Sequence, residues 1–85
     1  MLRETITEAG DHVVGTPTRT EASFVGKDGA ATVTIGYQKG DGTFKAYADG
    51  LMGSDDAYVR HGANVQLMVQ TDAAVDIYIA HGNVR

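Results

Sequence analysis

Three stretches alternate apolar and polar residues without interruption, and this alternation limits the fold more than any other feature. In residues 32–38, Val33, Ile35 and Tyr37 share one face, and Thr32, Thr34 and Gln38 the other. In residues 64–70 the apolar set is Val65, Leu67 and Val69; in residues 74–80 it is Val75, Ile77 and Ile79. A period of two with one apolar face describes a β-strand packed on one side, whereas a helix would scatter these residues around its circumference. Weaker alternation continues elsewhere. Ala22 and Phe24 are expected to face inward between Glu21, Ser23 and Val25, and Phe44, Ala46 and Ala48 between Lys45, Tyr47 and Asp49. Val13-Val14, Thr5-Ile6-Thr7 and residues 57–60 add short candidates. Gly50 to Tyr58 is too short and too rich in Gly and Asp to rate above a turn.

Gly, Asp and Pro interrupt these runs at spacings near the ~8–12 residues of an all-β sandwich or barrel. The 11 glycines among 85 residues and the many Val and Thr residues agree with short strands and tight turns. The expected fold is therefore all-β: a small antiparallel β-sandwich or barrel-like domain of roughly 7–8 short strands. Residues 1–85 suit one domain, and the opening Met1 reads as the start of a whole gene product. Residues 30–85 form the core antiparallel sheet in this reading; residues 1–29 are an arm, extra strands or an interface element. Loops this short favour antiparallel neighbours. The expected core is Leu2, Ile6, Val14, Ala22, Phe24, Val33, Ile35, Tyr37, Phe44, Val59, Val65, Leu67, Val69, Val75, Ile77 and Ile79.

The best local signal is Tyr37-Gln38-Lys39-Gly40-Asp41-Gly42-Thr43-Phe44. An EF-hand loop starting at Asp41 would put Thr43 and Lys45 at positions 3 and 5, where acids or amides are needed. A phosphate loop would end in Gly-Lys-Ser/Thr before a helix, and here a strand follows. Asp-Gly does suit a hairpin bend, with Gly42 at positive φ and Asp41 in water.

Chemistry is sparse. There are no cysteines, so neither a disulfide nor a thiolate metal site is available. His12, His61 and His81 lack the i, i+2 or i, i+4 spacing of a two-His metal site. His81 continues the inward phase of Ile77 and Ile79 and is expected as a hydrogen-bonded, half-buried ring. Asp55 and Asp56 read as a surface turn rather than a general acid/base pair. Ser23 and Ser54 lie in no nucleophile elbow. No enzyme is expected, and no cofactor. The 11 acidic and 7 scattered basic residues argue against a nucleic-acid backbone as partner. No run of ~18 apolar residues offers a membrane span, and residues 1–8 lack the apolar core of a secretory signal.

A domain this short buries only about 60% of its unfolded-chain surface, so assembly with a partner would add needed stability. Tyr47, Met68 and Tyr78 alternate out of phase with the core and form a candidate outward stripe for a protein contact; Leu2 and Ile6 are further interface candidates. Sugar-binding surfaces rely on exposed Trp or Tyr rings, and only Tyr47, Tyr58 and Tyr78 could serve.

Residues 30–81 carry the series AATVTIGYQ, a Gly/Asp turn, GTFKAY, a variable loop, NVQLMVQ, a short turn and AVDIYIAH. This rhythm resembles the small β-sandwich virion proteins of tailed bacteriophages, of the head decoration, cement or head-fibre type. The resemblance rests on strand rhythm and turn placement over 52 residues, with no rare residue and no catalytic residue to carry over. It implies a non-enzymatic structural component of a virion, assembled in the host cytoplasm. The implied partners are a major capsid or other virion protein and further copies of the chain, a trimer being favoured. The alternative is a carbohydrate- or host-surface-binding β-sandwich module.

Overall fold

The computed structural model describes residues 2–81, leaving the side chain of His81 aside. Eight strands form: β1 (Leu2–Ile6), β2 (Gly10–Val13), β3 (Ala22–Asp28), β4 (Val33–Gln38), β5 (Phe44–Leu51), β6 (Asp56–Arg60), β7 (Leu67–Thr71) and β8 (Val75–His81). There is no helix among the described residues. Two four-stranded antiparallel sheets face each other, in the orders β1-β8-β3-β6 (sheet A) and β2-β7-β4-β5 (sheet B). The fold is thus the small all-β sandwich that the alternation predicts. Residues 2–28 supply β1 to β3, divided between both sheets.

The connections differ from the expected hairpins. Only β4 and β5 are neighbours both in sequence and in a sheet. Every other link crosses from one sheet to the other, so short loops here span the sandwich. The pairing β1–β8 joins the two ends of the described chain, Ile6 opposite Val75 and Leu2 opposite Ile79.

Between the sheets lies one apolar cluster. Sheet A contributes Ile6, Val25, Val59, Val75, Ile77 and Ile79; sheet B contributes Val33, Ile35, Leu67 and Val69; Val14, Ala31 and Met52 close it. Val25, Val33, Val69 and Ile77 are fully buried. The apolar phases of β4, β7 and β8 are as the alternation predicts. Strand β7 starts at Leu67 rather than residue 64: Asn64 takes φ 60°, and the Gln66 amide donates to the carbonyls of Val14 and Gly15 at 3.1 and 3.0 Å.

Two other phases are opposite to expectation. In β3, Ser23 and Val25 are fully buried, while Ala22 and Phe24 are half-exposed on the outer side. In β5, Gly36 pairs with Ala46 and Gln38 with Phe44, which puts Phe44 and Ala46 on the outer face and Tyr47 on the inner side. Tyr47 packs against the core cluster, its ring 5.2 Å from that of Tyr37. Leu2, at the strand end, is 42% exposed rather than core.

The β4–β5 bend is a four-residue turn. Gly42 N–H donates to the Lys39 carbonyl at 2.9 Å and Lys39 N–H to Thr43 at 2.8 Å. Gly42 has φ +88°, the left-handed residue that closes a turn of this kind. Asp41 is exposed, and its carboxylate also accepts from Thr43 N–H at 3.1 Å and Thr43 Oγ at 2.6 Å. These bonds hold the Asp41 carboxyl below its ordinary range.

Candidate functional site

Cross-strand partners point to the same side of a sheet, so the registers define both outer faces. On sheet B, Val13 lies beside Met68, Met68 beside Gly36 and Gly36 beside Ala46. A Cβ on Gly36 would sit 2.6 Å from the ring of Phe44, so that ring covers the glycine. Met68, between Val13 and this covered glycine, is only 5% exposed. Leu51 pairs with Thr34 on the same face and is 65% exposed; Val13 is 45% exposed. Among the paired positions of this face only Asp11 is charged, and Gln70 Nε2 donates to it at 3.0 Å. Asp72 adjoins the face at one end, beside Thr34 and Gln70, and the stretch from Val13 to Ala46 carries no charge at its paired positions. Depletion of charge around exposed aliphatic groups marks the centre of a protein contact.

The outer face of sheet A is mixed. Arg3 pairs with Tyr78, its guanidinium 5.7 Å from the ring centroid and 2.6 Å from Asp76. The Arg3 hydrogen bond, then that from Thr5, holds the Asp76 carboxyl below its ordinary range. Phe24 and Tyr58 are direct cross-strand partners on this face, and Tyr58 is 65% exposed.

The five interface candidates do not form one surface. Met68 is on the outer face of sheet B, Tyr78 on that of sheet A, and Tyr47 turns into the sandwich. The stripe is undone because β5 is phased opposite to the alternation and β7 and β8 belong to different sheets. Leu2 and Ile6 share the inner side of β1, with Ile6 buried at 6% exposure.

Sequence reasoning missed one polar pair. Ser23 Oγ and His61 Nε2 are 2.7 Å apart in the buried interior. His61 Nδ1 is 2.9 Å from the Gly62 carbonyl. A carbonyl only accepts, so Nδ1 carries a proton; in the neutral ring Nε2 then accepts from the Ser23 hydroxyl. The tautomer matches that of a nucleophile and its base. Ser23, however, is 0% exposed; its oxygen is a tie between β3 and the end of β6, out of reach of a substrate in this conformation. The inward phase of Ser23 was the available signal, masked by the bulkier Phe24 next to it.

The remaining candidates lie apart. Asp55 reaches Lys27 at 3.6 Å, and Asp56 turns to the outer face. His12 is bonded through Nε2 to the Glu8 carbonyl at 2.9 Å. His81 pairs through its backbone with Ser23, and its ring lies outside the described residues. Among the described residues no group of three His, Asp or Glu side chains could hold a metal ion, and no helix is long and apolar enough to cross a membrane. Two clefts, about 380 Å³ beside Thr71 and Asp72 and about 320 Å³ beside Arg60 and His61, are open to the surface. Comparison with protein-family models, curated proteins and solved structures found no match.

Proposed function

We propose that this chain is a non-enzymatic structural component of a tailed-phage virion, a decoration or stabilisation protein that seats on the head lattice. The observation that carries this reading is the outer face of sheet B. Val13, Met68, Phe44, Ala46 and Leu51 make an apolar band there, with Asp11 the only charge at its paired positions. A second protein surface can cover that band without desolvating charges. The strand rhythm of residues 30–81 supports the virion class, and the major capsid protein is the partner it implies.

The test is co-sedimentation with tailed-phage heads from the genome that encodes the chain. Saturable binding is expected, with at least a tenfold loss on Leu51→Lys, because a buried hot-spot aliphatic becomes a desolvated charge. A genomic neighbourhood without virion genes, together with no binding to such heads, would overturn the proposal.

The Phe24–Tyr58 pair on the outer face of sheet A favours a second reading, a carbohydrate- or host-surface-binding module, since sugars stack on exposed aromatic rings. A glycan-array signal lost on Tyr58→Ala would select it.

A further inference from the structure

We infer that the free edge of β6 pairs with β6 of a second copy about a two-fold axis through Tyr58. The inference stands on β6 alone and holds whether or not a lattice is bound.

Strand β6 is the outermost strand of sheet A, paired on one side with β3. The ladder to β3 is bracketed by Lys27 N–H to Asp55 O at 2.7 Å and His61 N–H to Glu21 O at 3.0 Å. Antiparallel bonding alternates along a strand, so residues 55, 57, 59 and 61 address β3. Asp56, Tyr58 and Arg60 therefore turn their N–H and C=O groups to the open edge. The Asp56 carbonyl takes one bond there, from Ser54 Oγ at 2.9 Å, and keeps a second lone pair.

The sequence of this edge is charge-palindromic: Asp56-Ala57-Tyr58-Val59-Arg60. Antiparallel pairing about Tyr58 sets Asp56 of each copy opposite Arg60 of the other, and Tyr58 opposite Tyr58. Those three are the residues with outward-directed backbone groups, so hydrogen bonding and side-chain complementarity demand the same register. Their side chains share the outer face. Neither Asp56 nor Arg60 is ion-paired among the described residues, and Tyr58 is 65% exposed. On the inner face Ala57 meets Val59, which continues the core of one copy into the next. Opposite charges and aromatic pairs across strands are both favourable, and an isologous contact of this kind closes at two copies.

The other three edges lack these properties. Pairing β1 about its middle would oppose Glu4 to Glu4. Strand β2 has four residues. The register of β5 breaks between its pairings with Thr34 and Gly36. Strand β6 has an unbroken register with β3 and no proline, bulge or lysine to block addition of a strand.

Sedimentation equilibrium on the full chain tests the inference. A dimer of twice the 9.0 kDa chain mass is expected. Asp56→Arg or Arg60→Asp alone creates two like-charge pairs and should raise the dimer dissociation constant about tenfold or more. The double variant Asp56→Arg, Arg60→Asp restores opposite charges and should restore the dimer. Leu51→Lys should leave it intact, which separates this edge from the lattice-binding face. Circular dichroism of each variant checks folding, and all three sites are exposed. A monomer throughout the micromolar range, a trimer, or a dimer indifferent to the single reversals would overturn the inference.

Discussion

Ser23 and His61 are joined by a 2.7 Å hydrogen bond inside the sandwich, 38 residues apart in sequence. The bond ties β3 to the segment leaving β6, on the same inward face of β3 as Val25. Ser23→Ala leaves His61 Nε2 buried without that donor, at an expected cost of about 1–3 kcal/mol. Urea unfolding should show a lower midpoint at an unchanged slope. A midpoint equal to wild type would mean that the tie contributes nothing.

Gly36 marks a close approach. A Cβ there would collide with the Lys45 carbonyl oxygen, a backbone atom of the paired strand. Gly36→Ala must push β5 away from β4, and a loss of about 3 kcal/mol or more is expected, in the range of severe backbone and overpacking mutants. Gly40→Ala, with nothing within 4 Å of its new Cβ, is the control and should unfold near the wild-type midpoint. Equal effects at the two positions would refute the close approach.

Gly42 tests the backbone rather than space. A Cβ at this residue also meets nothing within 4 Å, but φ is +88°. Gly42→Val should therefore cost about 1 kcal/mol or more purely through conformation. Thermal unfolding against the Gly40→Ala control isolates the term, and a Tm equal to that of the control would contradict it.

The Arg3–Asp76 pair predicts an acid limb. The Asp76 carboxyl is held below its ordinary value, so the group favours folding at pH above its unfolded value, near 3.9. That contribution fades as pH falls from about 4 through the lower folded value. In a carboxyl NMR titration, Arg3→Gln should move the Asp76 midpoint upward and flatten the acid limb of stability. An unmoved midpoint would show that the guanidinium does not hold the charge.

Much of this was legible locally. The β4–β5 hairpin could be read because its determinants, Lys39 to Thr43 and the alternation on either side, lie within a dozen residues. Strands β4, β7 and β8 show one clear phase because their Val, Ile and Leu residues all fall on one face. The phases of β3 and β5 were not legible. Each offers apolar residues on both faces, Phe24 against Val25 and Phe44 against Tyr47, and bulk alone selects the wrong set. The candidate stripe failed with them, since Tyr47 depends on that phase and the separation of Met68 from Tyr78 depends on which sheet each strand joins.

The all-β class, a strand count of seven to eight and the bend at Gly42 were readable from the residues alone, because period-two patterning and positive-φ glycine are properties of short segments. The sheet orders, the inward turn of Ser23 and Tyr47, the charge-poor band on sheet B and the exposed edge of β6 follow from long-range strand pairing. Each of these depends on strands far apart in the chain meeting, as at the Ser23–His61 bond and the Arg3–Asp76 pair, and no local pattern encodes which distant strand becomes the neighbour.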